Sequence, residues 1–444
     1  MNQKLKRNPN IIFRLLNNKL ILFNERKQDL FCFDETGNKI WQLIDKGLYY
    51  AELLEIVKLS NLDVTEYEVE DFIEFLKTND LLINANEVDF NYKSENAESI
   101  ELWRFVHKHT EHYYPVTVTW EITYKCNQTC IHCYEDCDYT KNMQDLDIES
   151  IRNILIELHE NGCFILNITG GEPFIRNDIY EIISIAKGLN FSINLYSNAS
   201  LIDDTDIVKI KNLGISKMCI TLFSIEAEKH DKIANNKGLH SKTIENIIKL
   251  RKSGVPVRIN SPITKYNFEG YSDLIQFATQ MNCELVISNT LTPKDDGDMS
   301  PLALCLNDNQ FETILMDSSV NHVEDDNKEI FSNKLDNISC DIVNSGIAIS
   351  ANGNVYPCNT FKLKCGNLLD LSLSEIWENS SVLNILRNTK ISQINNCRSC
   401  LKLEFCRPCP AYSWLENKEI TGKSSISCRI ASIKQKCYSI HPNV

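Results

Sequence analysis

The sequence predicts an α/β fold. A partial six-stranded parallel barrel of strand–helix units is preceded by a small α+β unit and followed by a cysteine-rich region. Three observations point there. Between residues 116 and 288, six short apolar runs alternate with stretches of helical period. The first 85 residues read instead as strand, strand, helix, helix, helix. After about Ser339 long periodic elements give way to Cys, Asn and Pro, a composition suited to a region organised around metal.

In chain order, Ile11-Ile12-Phe13-Arg14-Leu15-Leu16 and Lys19-Leu20-Ile21-Leu22-Phe23 read as a hairpin turning at Asn17-Asn18. Thr36-Gly37 opens a helix with Ile40, Trp41 and Ile44 on one face. Ala51 to Leu59 continues the helical period, and Tyr67 to Leu76 repeats it with Val69, Phe72, Ile73 and Leu76. Leu81-Leu82-Ile83 closes a winged-helix-like module. From Asn84 to about Tyr114 the chain is polar, a linker with one helical piece around Ile100 to His109. The strands expected next are Val116–Tyr124, Phe164–Ile168, Phe191–Tyr196, Lys217–Leu222, Pro256–Pro262 and Glu284–Ser288. Ile151, Ile154, Leu155 and Leu158 form an apolar helical stripe after the first of them. Parallel strands with right-handed crossovers curve into an open barrel, and such sheets bind ligands at the carboxyl ends of their strands.

The 444 residues are 43% hydrophobic and 24% charged, which excludes global disorder. Lys+Arg 46 against Asp+Glu 60 gives a net charge of −14, which argues against broad nucleic-acid or anionic-membrane binding. No apolar run is long enough to span a bilayer, and Met1 to Asn24 lacks a signal-peptide core, so a cytoplasmic protein without membrane insertion is expected. In a reducing compartment, 18 cysteines point to metal or catalysis rather than disulfides. Cys32, Cys163, Cys219, Cys283 and Cys305 stand singly and read as small buried hydrophobes.

Directly after the first barrel strand comes Cys126-Asn127-Gln128-Thr129-Cys130-Ile131-His132-Cys133-Tyr134. A closed zinc site wants four ligands, which Cys137 would complete; three thiolates on a [4Fe–4S] cube leave one iron open. The Cys-x3-Cys-x2-Cys spacing, with Asn127, His132 and Tyr134 beside it, resembles the radical S-adenosylmethionine (radical SAM) superfamily. The resemblance implies that Cys126, Cys130 and Cys133 hold the cluster. Its open iron would chelate SAM, and reductive cleavage would yield a hydrogen-abstracting 5′-deoxyadenosyl radical. Cys137 falls outside the pattern and is given no ligand role. Ile168-Thr169-Gly170-Gly171-Glu172-Pro173 resembles the family's GGEP motif, implying that Gly170, Gly171 and Glu172 face the methionine amine. Ser197, Asn198 and Thr221 fall where relatives contact the ribose. His230-Asp231-Lys232-Ile233 with Gly238 and Thr243 resembles the peptide-modifying branch.

Cys340, Gly353, Cys358 and then Cys397-x2-Cys400-x5-Cys406-x2-Cys409 with Cys428 admit two zinc ribbons. In order and spacing they resemble the SPASM extension, which carries two auxiliary iron–sulfur clusters. The resemblance implies Cys340, Cys358 and Cys409 on the first and Cys397, Cys400, Cys406 and Cys428 on the second. The last pair is one residue closer than usual, which puts Cys409 in question. No cysteine shortly precedes Cys340, so the first cluster keeps an open iron, where a substrate thiolate would bind, or recruits Cys365.

The first module has an acidic third helix, with Glu66, Glu68, Glu70, Asp71 and Glu74, unlike a DNA reader. Through Phe33, Asp34, Thr36, Gly37, Ile40, Trp41, Leu43 and Leu81-Leu82-Ile83 it resembles the leader-peptide recognition (PqqD-like) domain of peptide maturases, which grips a leader by strand addition. The expected organisation is residues 1–85 leader recognition, 86–114 linker, 115–325 radical SAM core and 326–444 SPASM domain. The expected function is installation of a cysteine thioether in a ribosomally made precursor peptide, with flavodoxin or ferredoxin as reducing partner. The alternatives are a carbon–carbon link, epimerisation or formylglycine formation, and, from another class, a non-catalytic zinc-ribbon scaffold.

Overall fold

The computed structural model describes residues 4–45, 47–60, 62, 64–84, 99–135, 143–320 and 334–440. Cys137 and residues 85–98 of the expected linker lie outside them. The N-terminal unit contains β1 (Leu5–Arg7), β2 (Ile11–Leu16), β3 (Lys19–Asn24), β4 (Leu30–Phe33), α1 (Glu35–Asp45), α2 (Tyr50–Leu59), α3 (Glu66–Thr78) and β5 (Leu82–Asn84). In the hairpin Ile11 faces Asn24 and Leu16 faces Lys19. Asn17 and Asn18 both take positive φ, 47° and 59°, the backbone that a tight two-residue hairpin demands and that Asn tolerates. β4 extends the hairpin to three strands, and β1 pairs antiparallel with β5. Neither β1 nor β4 was foreseen, because three or four residues carry no readable period.

Both faces of this sheet are buried. Ile11, Leu20 and Leu22 pack on Ile40, Trp41, Leu53, Val69 and Ile73 of the unit's own helices. Ile12, Leu16, Ile21 and Phe23 pack on Leu102 and Val106 of α4 (Ser99–Thr110) and on Val116 and Phe164.

The barrel strands are β6 (Thr117–Glu121), β7 (Ile165–Thr169), β8 (Ser192–Ser197), β9 (Lys217–Thr221), β10 (Val257–Pro262) and β11 (Glu284–Ser288), parallel and in chain order. Helices α5 (Ile148–Glu160), α6 (Ile179–Gly188), α7 (Asp204–Leu213), α8 (Ala227–Ala234), α9 (Leu239–Ser253) and α10 (Tyr271–Gln280) alternate with them. Val118, Trp120, Leu166, Ile168, Ile193 and Leu195 join Ile151, Leu155 and Ile183 in the outer core. Because side chains alternate along a strand, the inner positions are the polar ones. Thr119, Asn167 and Asn194 lie in register. Asn194 Nδ2 donates to Asn167 Oδ1 at 2.9 Å.

The N-terminal unit sits under the barrel, against the starts of its strands. Arg14 is wholly buried; its Nε donates to Cys163 O at 2.6 Å and its Nη1 to Asn190 O at 3.0 Å. Asn190 in turn accepts from Phe13 N and donates to Ile11 O, and the Ser216 hydroxyl is buried against Glu25. Cys163, Asn190 and Ser216 each just precede a strand.

The C-terminal region departs from expectation. β12 (Gly346–Ile349) pairs parallel with β6, and β13 (Asn354–Tyr356) and β14 (Gly366–Asn367) continue antiparallel, giving nine strands in the order β11-β10-β9-β8-β7-β6-β12-β13-β14. Val343, Ile349, Val355, Phe361, Ile376 and Leu383 belong to the barrel's own apolar core. Short elements here need no core of their own, since they extend an existing one. The helices after the barrel are α11 (Asp308–Leu315), α12 (Leu373–Asn379), α13 (Ser381–Asn388), α14 (Pro410–Asn417) and α15 (Ser425–Ile440). Among the described residues no helix is long and apolar enough to cross a membrane.

Candidate active site

The loop after β6 is held by backbone. Gly170 has φ 130°, and a Cβ there would stand 2.2 Å from Thr123 O; one on Gly171 would stand 2.3 Å from Lys125 O. The glycines thus let the end of β7 lie against the segment leading into Cys126, where Gly171 N donates to Thr123 O and Glu172 N to Lys125 O, both at 2.8 Å.

Glu172 is fully buried. Its carboxylate accepts from Ser197 Oγ at 2.8 Å, Asn198 N at 2.8 Å and Phe174 N at 3.1 Å. Burial pushes its pKa up to about 7 against these hydrogen bonds, which pull the other way. Asn198 Nδ2 donates to Asn127 Oδ1 (2.8 Å) and Asn127 Nδ2 to Ser200 Oγ (2.9 Å), so the end of β8 is stitched to the cysteine loop. Asn236 Nδ2 donates to Asn127 O, Thr243 Oγ1 to Asn198 O, and the Asp231 carboxylate accepts from Gly238 N and His240 N. Glu172, Ser197 and Asn198, expected at the cofactor, thus also tie the ends of β7 and β8 to the cysteine loop. Thr221 stands half-buried at the end of β9.

Burial raises all three thiols of the loop, Cys126 to about 11 and Cys130 to about 12; Cys133 rises further with Glu135 and its fellow thiols as additional causes. Thiolates in mutual electrostatic reach repel, and a cationic centre between them relieves that repulsion. The same test groups the later cysteines. Burial raises Cys340, and Cys358 and Cys409 raise it more. After burial, Cys406 is raised by Cys397, Cys428 and Cys400. A small cavity is lined by Cys397, Cys406, Cys409 and Cys428, so Cys409 stands between the two groups. Cys365 lies in electrostatic reach of Cys358, and its thiol donates to Leu363 O at 3.7 Å and also interacts with Ser380 and Arg387. Among the described residues no three His, Cys, Asp or Glu side chains converge as ligands of one metal ion would.

Sequence reasoning missed a buried charge cluster beside the loop. Lys362 Nζ lies 2.6 and 2.5 Å from the two oxygens of Glu121 and 3.5 Å from Asp295 Oδ2; all three side chains are almost fully buried. Tyr124 OH donates to Glu121 at 2.7 Å, and Asp295 N donates to Tyr134 O. Glu135 is buried, and its carboxyl is pushed well up, by desolvation first and the Glu121 charge second. The cluster joins β6, the cysteine loop and the chain after Cys358. Its members are scattered over 121, 135, 295 and 362, so no spacing announces them.

Residues 120–279 match the family model of the radical SAM superfamily, and residues 340–401 match that of an iron–sulfur cluster-binding domain, SPASM. The AdoMet-dependent heme synthase of Methanosarcina barkeri is 24% identical over 323 residues, covering 68% of this chain and 92% of that protein. The PqqA peptide cyclase of Gluconobacter oxydans is 22% identical over 308 residues, covering 65% and 84%. Among solved structures, Streptococcus suis SuiB bound to precursor peptide SuiA superposes with a TM-score of 0.60 at 17% identity, over 95% of this chain and 99% of that one. The anSMEcpe enzyme with bound AdoMet gives 0.57 at 16%, over 73% and 97%. These likenesses show the fold, and the crowded thiols at the mouth fit iron–sulfur ligation. The chain carries a radical SAM domain over residues 120–279 and a SPASM iron–sulfur cluster-binding domain over residues 340–401, and is an enzyme of S-adenosylmethionine and iron–sulfur clusters.

Proposed function

We propose that the enzyme modifies a ribosomally made precursor peptide, joining a cysteine sulfur to a carbon of the core peptide as a thioether. The observation that carries this reading is the three-thiol group of Cys340, Cys358 and Cys409, with Cys365 engaged by Ser380 and Arg387. Three ligands leave a position for a substrate thiolate, across the Glu121–Lys362–Asp295 cluster from the cysteine loop. In this reading Cys126, Cys130 and Cys133 hold the SAM-binding cluster, and Cys397, Cys400, Cys406 and Cys428 hold the second auxiliary one. When bound, cluster and SAM together supply a 5′-deoxyadenosyl radical. Glu172, Ser197 and Asn198 brace the loop, leaving Thr221 and the main chain of Gly170 and Gly171 to face SAM. Net, the core peptide loses two hydrogen atoms and one free thiol. Similarity to a peptide cyclase and to a structure holding a precursor peptide supports a peptide substrate.

The leader docks on the N-terminal unit, residues 1–85, along the edge strand β4. Phe31 and Phe33 of β4 meet Phe72 and Phe75 of α3 edge-on, with centroids 5.1–6.0 Å apart. Added strands gain main-chain bonds at such an edge, and alternate side chains reach the aromatic slot. This unit lies beneath the barrel and the cysteines lie at its mouth. Strands of five or six residues rise about 17–20 Å, and the sheet packed below adds roughly 10 Å. An extended chain covers about 3.3–3.6 Å per residue, so leader and modified residue are separated by at least about eight residues.

The test is anaerobic reaction with the precursor encoded beside the gene. The expected product is lighter by two hydrogen atoms with one fewer free thiol, and the Cys126→Ala enzyme yields none. A carbon–carbon crosslink, the second reading, removes the same mass but leaves the thiol count unchanged.

A further inference from the structure

The mouth of the barrel must receive both SAM and the substrate, whatever its class, so an electron donor has to approach the cysteine loop from its outer side. On that side Cys130 and Tyr266 both pack on Phe223, Ile233 and Ala234. Ile131 N donates to Ile233 O at 3.0 Å, and Asn235 Nδ2 donates to Thr129 Oγ1 at 3.0 Å, so the C-terminal end of α8 lies directly on the loop. Ile131 itself is 37% exposed.

Exposed lysines border this spot. Lys232 Nζ sits 3.9 Å from the centroid of the Tyr266 ring, and Lys265 Nζ sits 5.5 Å from it. The Tyr266 ring, on the same apolar cluster as Cys130, therefore carries two ammonium groups. Lys237 follows Asn236, which is bonded to Asn127 O in the loop. All three lysines are exposed, and none enters an ion pair among the described residues. Of the nearby acids, Asp231 accepts from Gly238 N and His240 N, and Glu226 is paired with Lys229; Glu228 and Glu269 are exposed. In a chain of net charge −14, an apolar residue flanked by three exposed lysines outside any ion pair offers ammonium groups to an acidic partner.

We infer that this surface, Ile131 with Lys232, Lys237 and Lys265, is the docking site of an acidic one-electron carrier protein of the flavin or iron–sulfur class. The inference rests on the radical SAM assignment and not on the peptide substrate. Per SAM cleaved, the carrier is oxidised by one electron and the cluster held by the loop is reduced by one. Complementary charge speeds encounter and aligns the carrier's redox group with the cysteine loop at Ile131.

The experiment compares two reductants on the reconstituted full-length enzyme, reading 5′-deoxyadenosine formed. In the Lys232→Glu/Lys237→Glu/Lys265→Glu variant, the rate driven by reduced flavodoxin is expected to fall about tenfold or more. The rate driven by dithionite, a small reductant that needs no docking site, is expected to stay within about twofold of wild type, with iron content unchanged. Lys→Arg replacements at the same positions keep the flavodoxin rate. The wild-type flavodoxin rate drops steeply as salt rises, because exposed charges are screened. An equal fall with both reductants would make the lysines supports of the cluster itself and overturn the inference. An unchanged flavodoxin rate would place docking elsewhere and overturn it equally. If dithionite gave no 5′-deoxyadenosine with wild type, the radical SAM assignment would fail, a result distinct from both.

Discussion

The two ends of the barrel solve opposite problems. At the starts of the strands, Arg14 and Asn190 match donors to carbonyls, and Ile12, Phe23 and Phe164 close the gap with apolar contact. That end is complete as protein. At the other end, thiols crowd one another in a loop whose shape depends on two glycines and a buried Glu172. Thiols this close are costly to ionise together unless something of opposite charge lies between them. The contrast teaches that packing alone completes the lower end, while the upper end is finished only by its cofactors.

Breaking the upper end gives the largest effect. Cys126→Ala should reduce SAM cleavage to background and remove about four irons of an expected twelve or so, three cubes of four. Affinity for the leader, measured by anisotropy of a labelled precursor, should stay unchanged. Loss of both together would merge the ends that the structure separates.

Next comes Gly170→Ala. At φ 130° with a Cβ 2.2 Å from Thr123 O, strain of about 1–3 kcal/mol adds to the clash, and the backbone bond to Thr123 has to give. Iron should be lost on gel filtration while the N-terminal unit keeps its leader affinity. Normal iron retention would mean that the Gly-Gly contact does not position the loop.

Arg14→Leu attacks the lower end. It strands the carbonyls of Cys163 and Asn190 and should lower stability by about 2–4 kcal/mol, read as a drop in denaturation midpoint. Iron per folded chain should not change.

The smallest effect sharpens the brace itself. A carboxyl with a folded pKa of about 7 instead of 4.5 holds its proton more tightly folded than unfolded. Its contribution is full below about pH 4.5 and is lost as pH rises through about 7. At roughly 1.4 kcal/mol per pKa unit, the difference is about 3 kcal/mol. Wild type should therefore lose more stability between pH 5.5 and pH 8 than Glu172→Gln, even though the variant starts lower for want of carboxylate acceptors. Parallel pH profiles would place the raised pKa elsewhere.

These contrasts also mark where the sequence was readable. The six barrel strands and the hairpin were legible because each buries a continuous or alternating apolar run, and Glu284–Ser288 coincides with β11 to the residue. Cys340 has Cys358 and Cys409 as electrostatic neighbours, and Cys406 has Cys397, Cys400 and Cys428; their spacing was legible, but which of them share a cluster is not decided by it. Strand β12 was not legible, since four residues beside β6 take their stability from a sheet already there. The roles of Gly170, Gly171 and Asn198 were half legible. Their place at the strand ends was clear, but their use against the loop's own backbone depends on contacts formed only in the fold. Lys362 and Asp295 carried no local signal at all.

The central claim is that recognition sits at one end of the barrel and chemistry at the other. It is tested most directly by a series of precursors in which the residues between leader and modified cysteine are removed stepwise, each assayed for binding and for product mass. The account predicts constant affinity throughout and loss of modification once fewer than about eight residues remain, the length that spans the barrel. Full modification with a spacer of about four would contradict it, because such a peptide cannot reach from β4 to the cysteine loop.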